Sequence, residues 1–221
     1  MKNLFVTALM ALVVTGVAHA QATVTITPSK GGLQIVGGSE HLKFTLGWPT
    51  LYSADNKKSY PVKGVEVKDN TAVVKYETGE IDITVDPSGT ITMTGNNLDG
   101  GVVHFQMRMP IAQSFNVGGT YQLGANVAKP FPELKPDQPQ LFQGDVTTLI
   151  VRAGDGKGLI FTVPQGSYQE VTDLREWNTQ SFGWMTQANY VAGAPLVYKI
   201  EDAGAAPAAA DGSSTNATPA P

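Results

Sequence analysis

Apolar and polar residues alternate with a period of two through most of this chain. The pattern is clearest in residues 41–48, 71–85, 90–96, 102–110 and 194–201. Successive side chains of a β-strand point to opposite faces, so each of these segments can bury one face and leave the other in water. Short alternating segments separated by frequent turns predict an all-β fold of antiparallel strands.

Turn sequences separate the alternating segments. Residues 86–89 read Asp-Pro-Ser-Gly, in which the proline presets φ and the glycine accepts a positive φ. The glycine-rich residues 153–158 join two β-rich runs into a predicted hairpin. Because antiparallel sheets must bury one face, we expect a single-domain β-sandwich over residues 21–202. A closed barrel is the alternative architecture.

Two internal segments depart from the alternation. Ser167 and Glu170 have the spacing of a capping box, which favours a short helix from about Tyr168 to Trp177. Residues 128–140 are rich in proline and show no period. This composition predicts a long ordered loop on the surface of the domain.

The two ends of the chain have compositions of their own. Residues 1–20 combine the positive Lys2, a short apolar run and a small-x-small pattern that ends at Ala20, as in a cleaved signal peptide. The apolar run is too short to span a bilayer, so we expect a secreted or periplasmic protein without membrane insertion. Residues 203–221, rich in Ala, Pro and Ser, are expected to be disordered.

The composition argues against several classes of function. With 19 acidic and 15 basic residues, the formal net charge is −4, and nucleic acid is not an expected partner because no basic surplus can neutralise its phosphates. The absence of cysteine excludes thiol catalysis and thiolate metal sites. The sequence contains no histidine metal pattern, nucleophile elbow or phosphate loop. We therefore predict no catalytic residue, no metal and no cofactor.

Two of the three tryptophans, Trp177 and Trp184, lie in a polar stretch. If residues 173–186 form a hairpin with a short loop, Trp177 pairs with Phe182 and Arg175 with Trp184, so that all four side chains share one face. Such a plate, if exposed, can stack on the apolar faces of sugar rings; if it faces inward, it packs the core. The residues expected to extend this ligand-binding surface are Asn178, Tyr168 and Tyr190.

A lower-ranked candidate is the face formed by His104, Gln106 and Arg108, which the period of two places together. A histidine and an arginine on an open face can bind an acidic sugar or orient a carboxylate. The alternative is an ordinary solvated sheet face.

Residues 65–97 and 154–171, in which strands alternate with short polar turns, resemble the β-sandwich modules of bacterial polysaccharide-active enzymes, including the mutarotase-like supersandwich type. The resemblance implies a polysaccharide or oligosaccharide ligand. Such modules are normally tethered to a catalytic domain, so the resemblance also implies that a separate enzyme is a candidate partner of this chain.

These observations support three hypotheses of function. The first is an exported carbohydrate-binding or accessory protein that acts on extracellular or periplasmic glycans. The second is a small secreted polysaccharide lyase or glycoside hydrolase that uses Asp173, Glu176 or His104, with Glu170 as a further carboxylate. The third is a structural periplasmic or envelope protein whose aromatic side chains are buried.

Overall fold

A computed structural model describes residues 24–177 and 179–204. Within them the chain forms strands and two short 3-10 turns, Gln113–Asn116 and Leu174–Trp177. The strands are β1 (Thr25–Ser29), β2 (Gly32–Val36), β3 (Lys43–Leu46), β4 (Thr50–Ser53), β5 (Ser59–Tyr60), β6 (Gly64–Lys68), β7 (Thr71–Tyr76), β8 (Gly79–Val85), β9 (Thr90–Asn96), β10 (Val102–Ala112), β11 (Thr120–Leu123), β12 (Lys129–Pro130), β13 (Gln140–Asp145), β14 (Thr148–Arg152), β15 (Gly158–Thr162), β16 (Tyr168–Asp173), β17 (Ser181–Asn189) and β18 (Leu196–Asp202).

The strands form three antiparallel sheets. A six-stranded sheet has the order β13-β16-β17-β10-β4-β5, a nine-stranded sheet has the order β12-β11-β14-β15-β18-β9-β8-β7-β6, and a small sheet has the order β1-β2-β3. The two large sheets pack face to face, and the rings of Phe161 on β15 and Trp184 on β17 meet between them at 5.2 Å. Each large sheet ends in edge strands, so the all-β, antiparallel sandwich prediction is confirmed and the closed barrel is not formed.

Burial alternates along the strands as the sequence pattern predicts. On β10, Phe105, Met107, Met109 and Ile111 are buried, while Arg108 between them is exposed. The buried side chains of both large sheets join in one hydrophobic cluster, which makes the sandwich a single core. Burying each such side chain contributes about 1.5–3 kcal/mol, so this interface is the main source of stability.

The small sheet links the two large ones at one end of the sandwich. Strand β1 contacts β6, β7 and β8 of the nine-stranded sheet, and β3 contacts β10 of the six-stranded sheet. Just after β3, the N–H of Gly47 donates a 2.9 Å hydrogen bond to the carbonyl oxygen of Arg108.

The Asp-Pro-Ser-Gly turn between β8 and β9 has the chemistry that the sequence predicts. Oδ1 of Asp86 accepts a 2.8 Å hydrogen bond from the N–H of Ser88, and Gly89 has a φ of 87°. A Cβ at Gly89 would lie 2.1 Å from the carbonyl oxygen of Ile200. This turn therefore requires glycine both for its φ and for the close approach of β18.

The predicted short helix from Tyr168 to Trp177 is wrong. Residues Tyr168–Asp173 form β16, which pairs with both β13 and β17, and only the 3-10 turn Leu174–Trp177 follows it. Ser167 does not cap a helix, because its hydroxyl donates a 2.6 Å hydrogen bond to the carbonyl oxygen of Pro164. Pairing on both sides outweighs the weak local helix signal.

The proline-rich segment 128–140 crosses the surface with one side chain anchored in the core. It contains the two-residue strand β12, and β13 begins at its end. Phe131, 1% exposed, packs its ring against Phe182 at 4.7 Å and against Tyr121 at 5.0 Å. This phenyl group fixes the segment to the end of the sandwich.

The predicted signal peptide, residues 1–20, lies outside the described residues, as does the predicted disordered tail beyond Gly204. Ala203 and Gly204 are described, and their carbonyl oxygens accept hydrogen bonds of 3.0 and 2.6 Å from Arg152. In residues 24–177 and 179–204, no helix is both long and apolar enough to cross a membrane.

Candidate functional site

The outer face of the six-stranded sheet, which points away from the core, carries the candidate site. Pairing of β10, β17 and β16 sets side chains of three strands side by side in rows. One row runs from Glu170 through Met185 to Arg108, and the next runs from Thr172 through Gly183 to Pro110. Side chains directly opposite on neighbouring strands are about 4.5–5.5 Å apart, so each row forms a continuous strip.

A cleft of about 380 Å³ lies over these two rows. Its size is within the range of small-ligand sites, and its lining is mainly apolar with a few polar groups. The lining residues are Arg108, Met109, Pro110, Glu170, Thr172, Leu174, Trp177, Gly183, Trp184 and Met185.

Gly183 makes room for the turn that borders this cleft. A Cβ at Gly183 would lie 2.8 Å from Cδ1 of Leu174, which packs directly over the bare backbone. Leu174 begins the 3-10 turn, and Trp177 ends it. The turn thereby folds back over the outer face and brings an indole to the cleft.

The two tryptophans occupy opposite sides of the sheet, which corrects the predicted plate. Trp177 is 58% exposed, whereas Trp184 is 1% exposed. In the observed register Trp184 pairs with Val171 and Phe182 pairs with Asp173, not with Arg175 and Trp177. The chain leaves β16 at Asp173, earlier than the predicted hairpin requires, and Trp177 therefore does not lie in a strand.

Trp184 is a core residue whose polar group is satisfied. Its Nε1–H donates a 2.9 Å hydrogen bond to Oε1 of the buried Gln169, and Nε2 of Gln169 donates to the carbonyl oxygen of Val146 at 2.6 Å. Its indole is therefore part of the core and is not available to stack on a ligand.

The side chain of Arg175 points inward, toward the buried Phe182, and is not part of an exposed plate either. Its Nη2 and Nε donate to Oδ2 and Oδ1 of Asp173 at 2.6 and 2.9 Å. Further donors reach the carbonyl oxygens of residues 132, 133 and 134. The guanidinium also stacks on Phe182 at 4.8 Å, so its polar groups are engaged within the protein.

Asp173 is held as a structural carboxylate. Burial raises its pKa, but the hydrogen bonds and positive charge of Arg175 outweigh burial and leave the pKa below its usual value. The Asp173 side chain is 1% exposed. An enclosed, ionised and fully paired carboxylate is poorly placed to exchange protons with a substrate, so Asp173 does not fit the hydrolase hypothesis.

The other predicted members of the plate are dispersed. Phe182 is buried among the core aromatics, and Tyr190 stacks on Phe105 at 4.7 Å at the far end of β17. Tyr168 lies on the outer face, where its hydroxyl donates to Oε1 of Gln143 at 2.9 Å. Asn178 lies outside the described residues.

His104, Gln106 and Arg108 lie on the outer side of β10, as the period of two predicts, and Arg108 reaches the cleft. Nε and Nη2 of Arg108 donate to Oε1 of Gln106 at 3.3 and 3.2 Å, and Nε2 of Gln106 donates to Gln187 at 3.3 Å. Nδ1 of His104 is enclosed and meets no hydrogen-bond partner among the described residues. Arg108 belongs to the cleft lining, whereas His104 lies further along β10.

Glu170 provides the carboxylate of the cleft lining. Its Oε1 accepts a 2.6 Å hydrogen bond from the hydroxyl of Thr172, and its Oε2 lies 3.5 Å from the hydroxyl of Tyr168. Through residues 24–177 and 179–204, no group of three or more His, Asp or Glu side chains is arranged to hold a metal ion.

Sequence reasoning missed Thr172, Gly183, Met185 and Pro110 as site residues. The period of two does place Thr172 beside Glu170 and Pro110 beside Arg108 on their own strands. The sequence carries no signal that β10 lies beside β17, because several intervening elements separate the two strands in the chain.

No protein-family model matches this sequence, and no curated protein matches it. Among solved structures, the chain is similar to the α-N-acetylgalactosaminidase NagBb from Bifidobacterium bifidum, with a TM-score of 0.52 and 9% identity over 83% of this chain and 35% of that one. A GH31 family sulfoquinovosidase from E. rectale gives a TM-score of 0.39 and 10% identity over 82% of this chain and 27% of that one. These neighbours are glycosidase chains, and this chain spans 35% of the length of the first and 27% of the length of the second. At this identity the first likeness shows the fold alone.

Proposed function

We propose that this chain is an exported carbohydrate-binding or accessory protein and that the cleft beside Trp177 receives a sugar unit of a polysaccharide or oligosaccharide. The single observation that carries the proposal is the placement of a 58% exposed indole at the border of a cleft of about 380 Å³. A single exposed apolar side chain is common on protein surfaces, but an indole that adjoins a concave and mainly apolar cleft has the setting of a ligand site.

The chemistry of the cleft suits a ring that has an apolar face and a polar edge. The indole of Trp177, with Leu174 and Met185, offers apolar surface to the C–H face of a sugar. Glu170 accepts hydrogen bonds, Thr172 can donate or accept, and Arg108 donates, so hydroxyl groups at the ring edge have partners. Directional polar groups around an apolar surface are the usual composition of a small-ligand site.

The cleft favours binding over hydrolysis. Glycoside hydrolysis by the usual mechanism needs two carboxyl groups about 5–10 Å apart. Of the described residues that line the cleft, Glu170 alone carries a carboxyl group, and Asp173 is paired with Arg175 on the inner side. The proposal includes export through residues 1–20 and action on extracellular or periplasmic glycans, with a separate enzyme as a candidate partner.

Affinity electrophoresis through gels that contain single plant, algal or bacterial polysaccharides tests the proposal. At least one polysaccharide should retard the wild-type protein, and Trp177→Ala should weaken that retardation about tenfold or more, which corresponds to about 1.4 kcal/mol. Thr172→Val should weaken it by a smaller factor, because one hydroxyl is lost and the ring surface is kept.

The matched control is Val197→Ala on β18, an exposed apolar residue of the nine-stranded sheet that does not line the cleft. This variant should bind as the wild type does. Equal retardation of Trp177→Ala and the wild type on every matrix that binds would remove the proposed site, and no retardation of the wild type on any matrix would remove the proposed ligand class.

A further inference from the structure

The turn that carries Trp177 is fastened from the opposite side of the sheet by Arg175. We propose that Arg175 is a positioning residue that, together with Asp173 and the carbonyl groups of residues 132–134, fixes the indole of Trp177 at the mouth of the cleft. The consequence for ligand binding rests on the proposed function, but the positioning itself does not.

The 3-10 turn, which follows β16, places its side chains on both faces of the six-stranded sheet. Leu174 packs over Gly183 on the outer face, and Trp177 borders the outer cleft. Arg175 turns the other way, toward Phe182 in the core. The short turn therefore wraps around the end of the six-stranded sheet and is held from both faces.

Arg175 forms a dense set of contacts for a single side chain. Its Nη2 lies 2.6 Å from Oδ2 of Asp173 and 2.8 Å from the carbonyl oxygen of Pro132, and its Nη1 lies 2.9 Å from that of Glu133. Its own main-chain N–H donates to Oδ1 of Asp173 at 3.0 Å, so both the backbone and the side chain of this residue are fixed. The planar fork of a guanidinium can satisfy these acceptors together, whereas an ammonium cannot.

A turn of four residues cannot hold its own position. A single 3-10 turn has too few internal hydrogen bonds to be stable alone, so its geometry depends on tertiary contacts. Besides the Arg175 contacts, a side-chain hydrogen bond reaches the turn from the following segment: the hydroxyl of Thr179 donates to the carbonyl oxygen of Leu174 at 2.7 Å.

The same contacts couple the turn to the proline-rich segment. That segment is anchored by Phe131 in the core, and its residue Pro139 accepts a 2.7 Å hydrogen bond from the N–H of Asp173. Arg175 then ties residues 132–134 to the turn. The buried ring of Phe131 thus restrains the position of the Trp177 indole through the proline-rich segment and Arg175. Such restraint holds a binding group on a short turn in place before its ligand binds.

Fluorine NMR of protein labelled with fluorotryptophan tests the proposal. The three tryptophans give three resonances, and Trp177→Phe assigns the relevant one. The Arg175→Lys substitution keeps the positive charge but removes the planar guanidinium group that donates to several acceptors at once. In this variant the Trp177 resonance should narrow by about twofold or more, as fast local motion is released, and should move toward the free amino acid. The resonances of Trp48 and Trp184 should stay in place.

Arg152→Lys is the matched control. Arg152 also donates to three backbone carbonyl oxygens, at Gly156, Ala203 and Gly204, but it lies on β14 of the other sheet. This variant should leave the Trp177 resonance unchanged. A folded Arg175→Lys protein, recognised by an unchanged Trp184 resonance, that shows the wild-type Trp177 line would overturn the proposal.

The wild-type protein provides a second test that does not depend on the folding of a variant. The side-chain Nε–H of Arg175, which is bonded to Asp173, should exchange with water at least about tenfold more slowly than the Nε–H of N-acetyl-arginine amide in the same buffer. Exchange of the Arg175 Nε–H at the rate of the free arginine amide would show that these contacts are not formed and would overturn the proposal. None of these measurements needs a glycan, so failure of the positioning role and failure of the proposed function are distinguishable.

Discussion

Nε1 of Trp184 on β17 donates a 2.9 Å hydrogen bond to Oε1 of Gln169 on the neighbouring strand β16, on the inner face of the six-stranded sheet. Gln169 and Trp184 are 0% and 1% exposed, and Gln169 in turn donates to the carbonyl oxygen of Val146 at 2.6 Å. A glutamine in the core is tolerated here because each of these buried polar groups finds a partner. The indole of Trp184, which was predicted from the sequence to lie in a ligand-binding plate, therefore belongs to the interior.

Replacing Gln169 with methionine should destabilise the fold by roughly 2–4 kcal/mol. The substitution keeps the shape of the side chain but leaves the indole N–H of Trp184 without an acceptor and the carbonyl group of Val146 without a donor. Urea denaturation followed by tryptophan emission measures the loss. The same change at Gln187, on the outer face of β17, is the control and should cost less than about 1 kcal/mol. Equal losses in the two variants would contradict the assignment of Gln169 as a buried bridge.

Phe131→Ala should destabilise the protein by about 3–5 kcal/mol, because it removes a ring that is 1% exposed and touches Phe182. Leu134→Ala, in the same proline-rich segment but 83% exposed, should change the free energy of unfolding by no more than about 0.5 kcal/mol. Thermal and urea unfolding of the two variants compare them directly. If Phe131→Ala proves as mild as Leu134→Ala, the segment is not anchored by its phenyl group.

Asp173 should make the stability fall at acidic pH. Its pKa in the folded protein is lowered because Arg175 outweighs the effect of burial. Its contribution is therefore fully present above the unfolded value of about 3.9 and is lost as the pH falls through the lower folded value. Asp173→Asn should cost roughly 3–5 kcal/mol at neutral pH, because it leaves the Arg175 charge buried and unpaired, and this difference from the wild type should shrink below about pH 4.

Urea midpoints of both proteins, measured from neutral pH to about pH 2, show whether the stability difference shrinks as the pH falls. The control is Glu201→Gln, which removes an exposed ion pair with Lys199 and should cost at most about 1 kcal/mol at neutral pH. A difference between Asp173→Asn and the wild type that stays constant, or grows, as the solution becomes more acidic would contradict the lowered pKa.

Much of the strand arrangement was predictable because it is local. Alternation assigns the inner and outer positions of β8, β9 and β10, and the Asp-Pro-Ser-Gly turn follows from residue chemistry alone. The segment from Tyr168 to Trp177 was predicted incorrectly as a helix because its helical signals are weak, and pairing with two neighbouring strands overrides them.

The candidate site was predicted only in part. Trp177 and Arg108 were named from the sequence and do line the cleft, but Trp184 and Phe182 lie in the core and Arg175 is engaged with Asp173. Residue types alone could not separate these cases, because a polar setting around a tryptophan arises both at a ligand site and where a buried polar pair closes the end of a core.

The sequence by itself determined that the described chain is an all-β, antiparallel structure, because the alternation of apolar and polar side chains is a local property of each segment and depends on no distant partner. Only the tertiary structure decided which tryptophan meets water. That outcome depends on where β16 ends at Asp173, on the pairing of Val171 with Trp184 and on the turn that carries Trp177 to the outer face. These features depend on hydrogen bonds and packing between separate strands and with residues 132–139, whose free energies no local pattern encodes.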